Sequence, residues 1–368
     1  MPKLPSAQVR ASLCLLDRSL DRRPTNTCRI LFPFLERGYI SMSIDARADV
    51  FREGAERIAE LSWTRADAEV DTSWRVEVTA DVLQEFKTLV SGLEVTQELL
   101  DGIESGDHAL PALADCAALV RRQVLGRFGF AHVVGLGHGG FSEMEQRLFY
   151  VLVSLHMGEM MTTYGRLHDV KDRGYDFRSV DVSVSKTRVE APYHTDSTSL
   201  RTFPNVFGLL CLRPAMDGGR SLLVSACRAY QEIAASSPEH LPALFKDHFR
   251  NTVTPGDEET DIFDNTFPIY SWGQFSNGPT LRYMRHWIET GYAKAGRSLT
   301  DADVAAFDRL DAVLGDEEHV LGVDLAAGEF IFFNNCTVAH NRTAFVDFPE
   351  DERSRLLARA WLRVPEDD

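Results

Sequence analysis

The sequence has few cysteines, and no two of them form a C-x-x-C pair. Six cysteines are scattered over 368 residues. This distribution excludes a zinc knuckle and argues against a disulfide framework. It favours reduced, buried thiols and predicts a cytoplasmic protein.

Long apolar runs and a surplus of basic charge are also missing. No run reaches the ~18–20 residues that cross a bilayer, and the apolar stretch near the N-terminus is too short for a signal peptide. Acidic residues number 55 against 39 basic ones, for a formal charge of −16. Phosphate backbones and anionic membranes both attract clustered Lys and Arg. We therefore expect no nucleic-acid or membrane partner, and a homo-oligomer remains compatible with the sequence.

The pattern of apolar residues divides the chain into three parts. Residues 1–41 carry seven basic and three acidic residues and are predicted to be a disordered or non-native extension. Residues 42–368 are predicted to form one domain, with helical spacing over 42–127 and short strands over 128–368. An insertion at about 228–320, with its own helical segments, is predicted to form a lid. The predicted fold class is mainly β, a cupin-like jelly roll with an N-terminal helical layer.

Two histidines and an aspartate carry the spacing of a metal site. His194 and Asp196 lie two residues apart, so in a strand both side chains point to one face. His340 follows the predicted strand Phe330–Phe333. Two imidazoles and one carboxylate on one side of a metal are typical of non-haem Fe(II) oxygenases, in which the remaining positions stay open for substrate and O₂.

A candidate anion site follows the second histidine. Arg355 and Arg359 lie four residues apart in a predicted terminal strand and therefore share a face. A guanidinium there can pair with a carboxylate through two hydrogen bonds. The distal carboxylate of 2-oxoglutarate needs such a partner, and Ser221, after the turn at Gly218 and Gly219, is placed to add a hydroxyl.

Together these residues give the chain a likeness to a known family. From about residue 129 to 363 it resembles the taurine dioxygenase family of Fe(II)/2-oxoglutarate-dependent oxygenases, within the clavaminate-synthase-like superfamily. The matching stretches, in family order, are Phe128-Gly-Phe, Tyr193-His-Thr-Asp196, Gly208 to Arg213, Asp217 to Ser221, Ala327 to Phe330, Asn335 to Arg342 and Arg355-x-x-x-Arg359.

The resemblance implies a double-stranded β-helix core that uses Fe(II), 2-oxoglutarate and O₂. It implies that Arg355 holds the distal carboxylate with Ser221, and it assigns Arg359 to substrate or cosubstrate contact. Because Arg355 follows His340 at slightly more than the family spacing, Arg353 and Arg359 remain rivals for the cosubstrate role. The reaction implied is hydroxylation of a C–H bond, with release of succinate and CO₂.

The residues suggest what kind of substrate this is. Glu190 lies four residues before His194 and could receive a cationic amine, while Arg282, Arg285 and Arg359 could bind an anionic group. A small, polar, amino-acid-like metabolite is therefore expected. Desaturation, epoxidation or cyclisation, and a carrier-tethered substrate, remain open. The alternative is a cupin-like metal-binding protein that is not an oxygenase. Such a protein would keep the three metal ligands but would need no site for a keto acid.

Overall fold

The computed structural model of the protein describes residues 42–199, 203–252, 261–273 and 275–366. The predicted extension at residues 1–41 lies outside the described residues. No helix in these ranges is both long and apolar enough to cross a bilayer.

The predicted helical layer is present as a series of short helices. They are α1 (Ile44–Glu53), α2 (Ala55–Glu60), α3 (Arg65–Val70), α4 (Ala80–Val90), α5 (Gln97–Gly102), α6 (Pro111–Leu125) and α7 (Glu143–Met157). Gly126 ends α6, where a Cβ atom would lie 2.9 Å from the Arg122 carbonyl oxygen. Side-chain caps begin several of these helices, such as Thr79 for α4 and Ser142 for α7, because they satisfy amide groups that have no partner within the helix.

The larger sheet forms one wall of the core. Its strands run β1-β2-β14-β6-β17-β3, and β4 also pairs with β17. Their bounds are β1 (Arg75–Glu77), β2 (Phe130–Val134), β3 (Glu159–Met160), β4 (His168–Val170), β6 (Val206–Arg213), β14 (Phe330–Asn334) and β17 (Leu356–Arg363). The central strand β14 is buried along its whole length. Phe330 and Phe332 join the core that packs under the helices, whereas Ile331 and Phe333 face a second core between the sheets.

The smaller sheet forms the opposite wall. Its order is β13-β8-β15-β5, all antiparallel. These strands are β5 (Ala191–His194), β8 (Ser221–Ser225), β13 (Leu321–Val323) and β15 (Val338–Arg342), and a short pair β7 (Asp217–Gly218) and β16 (Phe345–Val346) lies beside them. Two facing sheets, antiparallel except for the β1–β2 pair, with helices outside confirm the predicted jelly-roll architecture, a double-stranded β-helix.

The described residues of the predicted insertion pack mainly against the outer face of the smaller sheet. From Ala226 onward the elements of this region are α8 (Ala226–Ser236), α9 (Leu241–Phe245), α10 (Arg285–Lys294), α11 (Asp301–Leu314), and the strands β9 (Asp247–Phe249), β10 (Thr266–Pro268), β11 (Tyr270–Trp272) and β12 (Pro279–Leu281). Its apolar residues share a core with Val224 and Ala339 of that sheet. Of its described residues, only Met284 and Trp287 line the cavity between the sheets.

Candidate active site

Three side chains that can bind a metal converge between the two sheets. His194 ends β5 and lies opposite His340 of β15 in the strand register. Asp196 Oδ1 lies 3.7 Å from His194 Nε2 and 3.8 Å from His340 Nε2. Ligand atoms from all three residues lie within 4.8 Å of one another. The structure thus brings together the three residues that the sequence selected.

The backbone that carries Asp196 differs from the expected strand. The strand β5 ends at His194, and Asp196 begins a turn in which Ser197 has a left-handed φ of 58°. The buried Asn335 side chain holds this turn: its Oδ1 accepts from the Asp196 amide at 2.8 Å, and its Nδ2 donates to the Asp196 carbonyl at 3.0 Å. A non-glycine residue in this conformation is strained, and it persists where surrounding bonds enforce it.

Two donors fix the orientation of the Asp196 carboxylate. The indole Nε1–H of Trp361 donates to Oδ2 at 2.8 Å, and Nη1 of Arg359 donates to the same oxygen at 3.1 Å. Both donors come from β17 of the larger sheet. Because they occupy Oδ2, the carboxylate presents Oδ1 to the two histidines. Sequence reasoning missed Trp361, and it expected Arg359 to contact substrate or cosubstrate rather than this aspartate.

The electrostatics keep these three groups in the forms that bind a metal. Burial by itself would raise the pKa of Asp196, but Arg359, the two imidazoles and Trp361 lower it below its usual value. Burial lowers the pKa values of both His194 and His340. The Nδ1–H of His194 donates to the Pro192 carbonyl at 2.8 Å. This bond leaves the Nε2 lone pair directed toward the cluster, as is typical of a metal-ligating histidine.

An unpaired guanidinium nitrogen lies in the same cavity. Arg355 is 5% exposed, and its buried Nη1 has no hydrogen-bond partner among the residues that the structure describes. Its side chain lies over the Phe345 ring, 4.9 Å from the centroid, and Ser221 lines the cavity with it. A buried donor without a partner is costly, so this geometry fits a ligand that brings an anionic oxygen.

The remaining predicted residues lie elsewhere. Glu190 is exposed and does not line the cavity. Arg285 forms ion pairs with acidic residues of α10 and α11 (Glu289, Asp308 and Asp311). Arg282 is fully buried, and it donates to the Thr198 carbonyl at 3.0 Å rather than lining the cavity. Arg353 is exposed and pairs with Glu350, so it is no rival for Arg355.

The cavity itself has a volume of about 120 Å³. Apolar walls (Val170, Val184, Phe207, Leu209, Met284 and Trp287) surround the candidate metal ligands. Hydroxyl groups cluster on two segments, Ser183 with Ser185 and the turn from Ser197 to Ser199. Apolar walls with a few placed polar groups are the usual composition of a small-molecule site.

Fold and site together define a class. A double-stranded β-helix that places two histidines and one carboxylate in a cavity, beside a buried arginine, is typical of non-haem iron enzymes that use a keto acid.

Comparison with known proteins narrows this class to a family. Residues 96–361 match the family described as "Taurine catabolism dioxygenase TauD, TfdA family". Since the match covers well over half of the chain, the protein belongs to this family. It is a 2-oxoglutarate-dependent non-haem iron dioxygenase, whose cofactors are Fe(II), 2-oxoglutarate and O₂.

Two curated proteins and one solved structure illustrate what this chain is similar to. FR-33289 synthase of Streptomyces rubellomurinus is 25% identical over 315 residues, which cover 82% of this chain and 88% of that protein. Uridine-5'-phosphate dioxygenase of a Streptomyces species is 29% identical over 161 residues, 41% of this chain and 53% of that protein. The structure of asparagine oxygenase with Fe(II), 2S,3S-3-hydroxyasparagine and succinate has a TM-score of 0.57 at 16% identity, covering 79% of this chain and 93% of that one.

Proposed function

We propose that His194, Asp196 and His340 hold the iron of this dioxygenase through Nε2, Oδ1 and Nε2. The observation that carries the proposal is the convergence of these three atoms in one cavity. Two neutral imidazoles and one carboxylate suit Fe(II). When bound, the iron and the keto acid supply the oxidation of a substrate C–H bond by O₂.

In this proposal Arg355 and Ser221 bind the distal carboxylate of 2-oxoglutarate. The unpaired Nη1 of Arg355 supports this role. The alternatives are weaker, because Arg359 is engaged with Asp196 and Arg353 is exposed.

The reaction proposed is hydroxylation of an unactivated C–H bond of a small polar metabolite. One oxygen atom of O₂ enters the substrate as a hydroxyl group and the other enters succinate, while 2-oxoglutarate loses CO₂. Met284 and Trp287 are proposed to position the apolar part of the substrate and to exclude water, since both are buried and line the cavity. The solved relatives whose names mention hydroxyasparagine and hydroxyarginine support a substrate of this size.

Anaerobic titration with Fe(II) and 2-oxoglutarate tests the proposal. We expect the visible charge-transfer band of the iron–keto acid chelate in the wild type. The band should be lost in His340→Ala because iron is no longer held, and Arg355→Met should need a much higher 2-oxoglutarate concentration. His138→Ala, a substitution at an exposed histidine, is the control. A wild-type protein that binds Fe(II) but shows no band with 2-oxoglutarate would contradict the proposed function.

A further inference from the structure

The charged residues that line the cavity are mostly positive. They are three arginines, Arg342, Arg355 and Arg359, and Asp196 is the one acidic residue among the described lining residues. In a chain of net charge −16, such a local surplus of positive charge stands out.

Binding of the cofactors leaves this surplus in place. This step rests on the proposed function: Fe(II), the Asp196 carboxylate, the 2-oxoglutarate dianion and Arg355 together carry no net charge. Arg342 and Arg359 remain. A guanidinium stays protonated in proteins, so both keep their positive charge.

Groups around these two arginines compensate them only in part. The negative charge of Asp172 offsets part of the Arg342 charge, but Asp172 Oδ2 also lies 3.9 Å from Arg188 Nε. The acceptors of Arg342 are neutral backbone carbonyls, those of Thr187 and Val189.

His168, which pairs with Arg359 in the strand register, has Asp169 beside it, but that carboxylate is already paired with Arg147 at 2.7 Å. Burial and Arg359 hold the pKa of His168 at about 4, so this ring is neutral, and the nearby Lys186 is positive. Uncompensated buried charge is unfavourable, so these surroundings favour a ligand that brings negative charge.

Hydroxyl donors are available beside the candidate iron position. Ser197 Oγ and Thr198 Oγ1 are buried, have no hydrogen-bond partner within the described part of the chain and belong to residues that line the cavity. They lie on the turn that begins with Asp196. Two free hydroxyl groups within a positive cavity suit the oxygens of an anion. By contrast, Asp196 is the one carboxylate that a cationic amine would meet among the described residues lining the cavity.

We propose that the enzyme selects a substrate with net negative charge, a small organic molecule whose oxyanion is bound by the Ser197 and Thr198 hydroxyls and attracted by Arg342 and Arg359. A substrate with a cationic group, such as Glu190 was expected to receive, is selected against.

A set of probes with one carbon chain and different charges tests this inference. The anaerobic protein with Fe(II) and 2-oxoglutarate is titrated with butyl phosphate, butyrate, butanol and butylammonium, and the shift of the charge-transfer band is followed. We expect saturable shifts with the two anions, at dissociation constants at least about tenfold lower than for butylammonium. Equal dissociation constants for the anions and the cation would overturn the inference. A band that shifts with none of the probes would overturn it too. An anion that only abolishes the band competes with 2-oxoglutarate, and this result would also count against the inference.

Two variants locate the effect. Thr198→Val keeps the shape but removes the hydroxyl group, so butyl phosphate binding should weaken about tenfold, while the band with 2-oxoglutarate stays. Thr88→Val, a substitution of an exposed threonine on α4, is the matched control and should change neither. Ser185→Asp places a carboxylate in the cavity wall and should shift the preference toward butylammonium. If both cavity variants keep the wild-type preference, the assignment is wrong. If the wild type with Fe(II) and 2-oxoglutarate shows no charge-transfer band, the proposed function is refuted instead.

Discussion

Replacing Trp361 with phenylalanine tests whether the hydrogen bonds to Asp196 prepare the iron site. The substitution removes the indole N–H, 2.8 Å from Asp196 Oδ2, but keeps an aromatic ring that can pack on Tyr164, whose ring centroid lies 5.1 Å away. A hydrogen bond to a charged group contributes ~1.5–3 kcal/mol. Because Arg359 retains its own bond to the same oxygen at 3.1 Å, we expect the lower end of that range. This corresponds to an Fe(II) dissociation constant raised on the order of tenfold.

The assay is anaerobic Fe(II) titration at saturating 2-oxoglutarate, followed through the charge-transfer band. Trp287→Phe is the matched control, because Trp287 lines the same cavity but its aromatic contacts are with Phe177 and His286. The control should keep wild-type iron affinity. If Trp361→Phe binds Fe(II) as tightly as the wild type, the carboxylate does not depend on the indole and the reasoning fails.

Three further predictions concern the cosubstrate, the turn and the stability of the protein. Arg355→Lys should raise the 2-oxoglutarate concentration needed for half-saturation at least about tenfold, since an ammonium cannot form the two-pronged pair; equal affinity would contradict the assignment. Asn335→Ala removes the hydrogen bonds that hold the Asp196 backbone and should lower the free energy of unfolding in urea by about 2–4 kcal/mol, whereas an unchanged midpoint would refute the role. Burial lowers the pKa of His248 from 6.5 to about 4, so below pH 6.5 the unfolded chain takes up a proton that the folded chain refuses, and stability falls between pH 6.5 and 4. His248→Gln should flatten that decline, and His138→Gln should leave it unchanged.

The parts of the fold that sequence reasoning predicted are those with a strong local pattern. The apolar run at Phe330–Phe333 indicates a strand, and β14 covers it and is buried along its length. The helix α7 ends at Met157, and the next residue, Gly158, packs so closely on β17 that a Cβ atom there would lie 2.4 Å from the Arg363 carbonyl oxygen. This requirement for glycine comes from a strand more than 200 residues away, which no local pattern reveals.

The candidate site likewise contains residues that the sequence identifies and residues whose role only the structure shows. His194, Asp196 and Arg355 are recognisable because their residue types and spacing belong to one chemistry. Trp361 and Asn335 act through distant neighbours, so only the folded chain shows what they hold. Glu190 failed as a candidate for a related reason: its spacing from His194 presumed one continuous strand, whereas β5 begins at Ala191 and leaves Glu190 exposed before it.

The most direct test of the account is anomalous diffraction at the iron edge from crystals grown anaerobically with Fe(II). The account predicts one strong peak within bonding distance of His194 Nε2, His340 Nε2 and Asp196 Oδ1, with Oδ2 still bonded to Trp361 and Arg359. A peak held by other residues, or iron-loaded crystals with no peak between these three atoms, would contradict it.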